Sequence, residues 1–335
     1  MGKNTIQLTG KKLLILLLSL TSFTNYILAN EVTVSILPQK YFVEKIAGDK
    51  LNVNVMVKPG SSPATYEPKT SQMKVLSKSL AYFSIDVPFE NVWLEKFENA
   101  NKNMLVVDTA KGIKKLQMLK HVHHEEEKDE HHDHDAHDKH DDHDDHDDHD
   151  DKKGHDHEDE HEKEHGHEAE HEHEGLDPHI WLDPMLVKIQ AKNIYEALIK
   201  IDNKNSKFYT KNYELFILEL DALNKKIENI LEKYEDKAFM VFHPSWGYFA
   251  KRYDLEQIAI EVQGKEPKPS QLIELVNEAK KHDIKIVFVS PQFSQNGAKT
   301  ISKSINGTVE VIDPLALKWD ENLIKVAKDI AKTYK

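Results

Sequence analysis

Residues 31–60 read EVTVSILPQKYFVEKIAGDKLNVNVMVKPG. From Glu31 to Pro38 the chain alternates towards an apolar strand, Val32-Thr33-Val34-Ser35-Ile36-Leu37. Gln39 to Ala47 predicts a short helix, with Phe42, Val43 and Ile46 on one face and Gly48 to end it. Leu51 to Val57 is a second strand, closed by Pro59-Gly60. Strand, helix and strand in this order predict a parallel pair joined by a crossover.

The same pattern continues outward. Ser71 to Leu80 predicts a helix, Ala81 to Ile85 a strand, Glu90 to Glu98 a helix and Met104 to Val107 a strand. Met185 to Ile201 is helical. Ser206 to Tyr234 predicts one long helix, with Tyr209, Tyr213, Phe216, Leu220, Leu223, Ile227 and Leu231 recurring at three- and four-residue steps. Such a helix spans on the order of 40 Å and suits a strut crossing two lobes. Ala238 to Phe242 and Leu255 to Val262 read as strands. Helix Ser270 to His282, strand Ile284 to Ser290, helix Ala298 to Ile305, strand Val309 to Ile312 and a helix from Glu321 complete a second lobe. The fold class is α/β: two β/α lobes joined by a long rigid helix.

Residues 1–29 read as a secretory signal, in which Lys3, Lys11 and Lys12 precede the apolar run Leu13 to Leu20 and Leu28-Ala29-Asn30 offers a cleavage point. The chain has no cysteine, which excludes disulfides, thiolate metal sites and a lipid-modified cysteine. Export without a lipid anchor points to a Gram-negative periplasm. The expected organisation is a signal peptide at 1–29, an N-terminal lobe at 30–120, a disordered acidic loop at 121–174, the end of the N-terminal lobe at 175–205, a linking helix at 206–236 and a C-terminal lobe at 237–335.

Of 21 histidines, 18 lie between His121 and Glu174: His121, His123, His124, His131, His132, His134, His137, His140, His143, His146, His149, His155, His157, His161, His165, His167, His171 and His173. This tract carries 26 acidic residues and 5 lysines, a net of −21. With the whole chain at −13, the remainder is net +8. No basic cluster with interleaved aromatics supports nucleic-acid binding. Few apolar residues and repelling like charges leave the tract unable to offset its ordering entropy. A solvated linker accounts for the carboxylates but not for the imidazoles, which ligate borderline divalent metals and point to metal capture.

Ligands in open α/β sheets bind beyond the carboxyl ends of the strands. Four candidate positions fall there or in nearby loops: Ser62 to Pro68, which holds Glu67; the octet Asp177 to Pro184, which holds His179; His243 at a strand end; and Asp313 in Ile312-Asp313-Pro314-Leu315. Each has a plainer reading, as a hydrogen-bonded structural histidine or a turn-forming Asp-Pro. Their coincidence with a metal-gathering tract favours ligation. His282, at a helix end, reads as a surface residue favourable to the helix dipole.

These pieces resemble the periplasmic solute-binding proteins of zinc- and manganese-importing ABC transporters, in particular zinc-type members with a His-rich loop. The resemblance is carried by Pro63 to Pro68, Asp177 to Pro184, Phe242 to Phe249, Gly264 to Pro267, Ser290 to Ser294 and Ile312 to Leu315. It implies a metal between the lobes, with His179, His243 and Asp313 as ligands. One departure stands out: the family's first histidine ligand is replaced by Ala64. Water, Glu67, a histidine of the tract or a small chelating ligand could fill that place.

The resemblance implies a monomeric zinc-binding protein, not an enzyme, that delivers Zn2+ to a membrane permease driven by a cytoplasmic ATPase. A periplasmic metal buffer or chaperone, and import of manganese, nickel or iron, are the alternatives. A zinc hydrolase is disfavoured because no predicted helix carries H-E-x-x-H and no paired catalytic carboxylates appear.

Overall fold

The computed structural model describes residues 30–118, 175–262 and 264–334. The expected signal at 1–29 and the histidine tract at 121–174 lie outside the described residues. In the first lobe β1 (Glu31–Val34), α1 (Leu37–Ala47), β2 (Asn52–Val55), α2 (Thr70–Leu76), β3 (Ala81–Ser84), α3 (Pro88–Ala100) and β4 (Leu105–Asp108) alternate. Two helices follow, α4 (Pro184–Ile201) and α5 (Ser206–Leu231). The second lobe comprises β5 (Ala238–Val241), α6 (Gly247–Arg252), β6 (Glu256–Ala259), α7 (Pro269–Lys281), β7 (Ile286–Val289), α8 (Asn296–Ser304), β8 (Thr308–Val311) and α9 (Trp319–Lys332).

Both sheets are parallel and share one order, β2-β1-β3-β4 and β6-β5-β7-β8. In each, the chain leaves the first strand to one side and later crosses to the other. This creates a crevice between β1 and β3 and another between β5 and β7 at the carboxyl ends. Strands buried on both faces explain the near-continuous apolar runs. In β5 the period of two is visible: Phe239 and Val241 join the large core shared with α5 and α9, whereas Ala238 and Met240 join a separate core under α7 and α8.

Helix α5 has 26 residues and buries Tyr209, Phe216, Leu220, Leu223, Ile227 and Leu231, the stripe expected from its periodicity. It packs on α1, α4 and α9, which makes it the strut between the lobes. Tyr213 is only partly buried and stacks on Tyr195 with ring centres 4.5 Å apart.

Several boundaries differ from the sequence reading. Leu37 and Pro38 belong to α1 rather than to the preceding strand, because proline fits the first helical turn, where its missing N–H costs nothing. α2 stops at Leu76; the chain straightens so that the Leu80 N–H donates to Glu31 O at 2.7 Å. α6 was not anticipated, since six residues carry too little periodicity to register.

Glu90 of α3 is buried where β1 and β3 end. Its carboxylate accepts from the backbone N–H of Ile85 and of Asp86 and from the Ser35 hydroxyl. Burial pushes its pKa from 4.5 up to about 7, against the lowering effect of those donors. Between these values the folded state holds a proton that the unfolded state has released. Stability therefore falls as pH rises from about 4.5 to about 7, by on the order of 3 kcal/mol. Urea denaturation across this window should show the decline in the parent protein and its loss in Glu90→Gln.

Candidate metal centre

Strand β5 ends at Val241 and its neighbour β6 at Ala259, in the register Val241↔Ala259. Pairing continues beyond both ends, since Ile260 N donates to Val241 O at 2.9 Å and Glu261 N to Phe242 O at 3.0 Å. His243 and Glu261 thus lie side by side in register. Their side chains meet, with His243 Nδ1 2.6 Å from Glu261 Oε1. A carboxylate only accepts, so Nδ1 carries the hydrogen and donates it. The loop after β7 lays Phe293 flat on the imidazole, ring centres 4.4 Å apart and planes 24° apart.

His179 is held in the same way. It precedes a 3-10 turn, Ile180–Leu182, and both its backbone N–H and its ring bond Asp177 Oδ1, at 2.9 Å and 2.7 Å. Trp181 stands 5.1 Å from the His179 ring, centre to centre. The two imidazoles lie 5.4 Å apart, inclined at 69°. One comes from the segment before α4 and the other from the second sheet. In both, Nδ1 is occupied by a buried carboxylate, and Nε2 has no hydrogen-bond partner among the described residues. That tautomer is the one with which a histidine offers Nε2 to a metal ion.

Asp313 follows β8. Its Oδ1 accepts from Gln292 Nε2 and from Leu315 N, each at 2.9 Å, and Oδ2 has no partner among the described residues. The next residue, Pro314, accepts from Trp181 Nε1 at 2.7 Å, so the Asp313 loop abuts the His179 segment. Among the described residues no three His, Asp or Glu side chains gather closely enough to hold an ion. The histidines are brought together; Asp313 is adjacent to the pair without forming a cluster with it. Glu67 and Ala64 are both exposed on their loop. His282 ends α7 and bonds Glu278 Oε1 at 2.8 Å through Nε2, as befits a surface residue at a helix end.

The seam beside the site is polar and specific. The Tyr248 hydroxyl donates to Asp177 O at 2.8 Å and accepts from Leu116 N at 2.9 Å, and burial pushes its pKa up to about 12. A Cβ on Gly247 would stand 3.1 Å from Asp177 Oδ2, so glycine lets α6 approach that carboxylate. Arg252 grips Asp183 with three hydrogen bonds of 2.8–3.0 Å.

Comparison with known proteins decides the family. The family model for the periplasmic component A of zinc-uptake complexes, ZnuA, matches residues 32–335. The chain belongs to that family. A crystal structure of ZnuA is 37% identical, with a TM-score of 0.74 over 92% of this chain and 100% of that one. A ZnuA deletion mutant with zinc bound is also 37% identical, with a TM-score of 0.72 over 91% and 98%. The high-affinity zinc uptake system protein ZnuA of Bacillus subtilis (strain 168) is 32% identical over 134 residues. That match spans 39% of this chain and 42% of the relative's length.

Within this ZnuA-family chain, Asp177, Glu261, Gln292 and Phe293 were not assigned roles from the sequence. Asp177 lies two residues before His179 in the octet Asp177 to Pro184, and Glu261 is the penultimate residue of the predicted strand Leu255 to Val262. A carboxylate closing an apolar strand was the available signal.

Arg252→Ala should cost roughly 2–3 kcal/mol, because it strands the buried Asp183 carboxylate without its countercharge. Adding Asp183→Asn to that variant should recover part of the loss, as an uncharged amide still caps α4. Urea denaturation of the single and double variants checks both.

Proposed function

We propose that this chain is the periplasmic zinc-binding component of an ABC importer. In this reading it binds Zn2+ between its lobes and delivers the ion to a membrane permease powered by a cytoplasmic ATPase. It acts as a monomer, is exported by the signal at 1–29 and carries out no catalysis. His179, His243 and Asp313 are its ligands, through Nε2, Nε2 and Oδ2. The observation that carries the proposal is the pair of imidazoles 5.4 Å apart, each with Nδ1 bonded to a buried carboxylate. A carboxylate buried beside a neutral ring is costly, and a cation on the ring's far nitrogen offsets that cost.

Two imidazoles and a carboxylate suit zinc better than manganese, which prefers oxygen donors. In the proposal the histidine tract gathers metal near the ordered site. The stem of this insertion lies close by: Gln117 pairs with Leu176 and Asp177 N donates to Leu116 O at 2.8 Å.

Calorimetric titration with Zn2+ tests the assignment. Deleting 121–174 should remove the weak, multiple sites and leave one tight site. Loss of the tight site with the tract would overturn the ligand set. His179→Ala and His243→Ala should each weaken the tight site by more than about 100-fold, beyond the usual effect of losing an outer partner. Asp313→Ala should be intermediate, since water can replace a carboxylate oxygen, and His282→Ala should have little effect. Equal losses at all three histidines would refute the site.

Ala64→His gives a further check on the same site. If three protein donors hold the ion, the added imidazole should tighten zinc binding with or without the tract. Weaker binding in both backgrounds would show that the small side chain makes room for another ligand.

A further inference from the structure

The backbone register of the second sheet carries one step beyond the ligand set, resting on the reading of His243 as a ligand. We propose that Glu261 is a positioning residue of the metal site: it fixes the tautomer and tilt of His243 so that Nε2 is left unprotonated for the ion.

The argument starts from the strands. Parallel neighbours in register present their side chains on the same face of a sheet, about 4.8 Å apart. The register Ala238↔Glu256 to Val241↔Ala259, prolonged by the Glu261 N to Phe242 O bond, places Glu261 beside His243 irrespective of side-chain choice. Glu261 is 7% exposed, and its Oε1 lies 2.6 Å from His243 Nδ1. A buried carboxylate is a costly way to finish an apolar strand, and Gln would make the same neutral hydrogen bond at lower cost. What the carboxylate adds is strict acceptor character, which forces the hydrogen onto Nδ1. It also places negative charge beside the ring, which favours a cation at the far nitrogen. Phe293 on the ring face then leaves the imidazole little freedom to rotate.

Glu261→Gln and Glu261→Leu separate these contributions, with His243→Ala as reference. Zinc affinity is measured by competition with a chromogenic chelator. The His243 tautomer is read in the metal-free, 15N-labelled proteins at pH 8 from two-bond correlations of the ring, and circular dichroism confirms folding. Glu261→Leu should bind zinc about 10–100-fold more weakly and shift His243 towards the form protonated on Nε2. Glu261→Gln should retain the Nδ1–H form and lose less than about 10-fold. A purely structural glutamate would lower stability without moving the tautomer. A folded Glu261→Leu protein with parent affinity and an unchanged tautomer would overturn the proposal. If His243→Ala itself bound zinc normally, the ligand set would fall, while the tautomer measurement would still decide whether Glu261 orients the ring.

Discussion

Two indole N–H groups fasten the lobes beside the site. Trp181 Nε1 donates to Pro314 O and Trp319 Nε1 donates to Trp181 O, both at 2.7 Å, and both side chains are fully buried. Trp319 also meets Phe42 of α1 edge to face, with ring centres 5.0 Å apart. Parting the lobes here would break both hydrogen bonds, at about 0.5–1.5 kcal/mol each, and expose two indoles and their apolar contacts to water. The spacing between the His179 segment and the Asp313 loop is therefore a property of the packed core. On the proposed reading binding fills a preset gap, and large lobe rotations about the seam are opposed by the same interactions.

The repeated strand order explains why the gap is polar on both sides. Each lobe directs its strand carboxyl ends to one edge, where loops leave the sheet and backbone groups need partners. The first lobe meets this need with Gln39, whose amide donates to Phe83 O and Ser84 O and accepts from Ser35 N, and with Glu90. The second lobe uses the corresponding edge for His243, Glu261 and Asp313. One architecture thus yields a hydrogen-bonded plug of Gln39 and Glu90 in one crevice and the His243–Glu261 pair in the other. The difference lies in side chains at a few loop positions.

Much of this was legible in the sequence, and for definable reasons. Parallel strands buried on both faces leave long apolar runs, and the α5 stripe survives except for the partly buried Tyr213, because packing on three helices selects every third or fourth residue. His179, His243 and Asp313 could be placed at loop positions because strand ends are marked by a switch from apolar to polar residues. The partners were harder to see. Glu261 is eighteen residues from His243, and only the strand register makes them neighbours. Trp181 and Pro314 are far apart in sequence, so their bond depends on the lobes closing on each other. Glu67, a possible ligand from its place in a candidate loop, is exposed.

The anchoring of that loop gives the reason. Pro63 O accepts from Phe89 N at 3.1 Å, and Tyr66 is buried edge-on against Phe89 with its hydroxyl on Gln72 Oε1 at 2.7 Å. With Pro63 and Tyr66 committed inward, Ala64, Thr65 and Glu67 are left on the outside. The loop is thus held in place through Pro63 and Tyr66, with position 64 exposed between them. On the proposed reading, the ion is gripped by His179, His243 and Asp313, and its remaining coordination position is one that an exchanging ligand can enter. A fully enclosed tetrahedral site is the arrangement of structural zinc, whereas an open position suits an ion that must be surrendered. On the same reading, a chain that captures a cargo tightly must also let a partner displace a ligand, and three protein donors on a rigid seam would meet both demands.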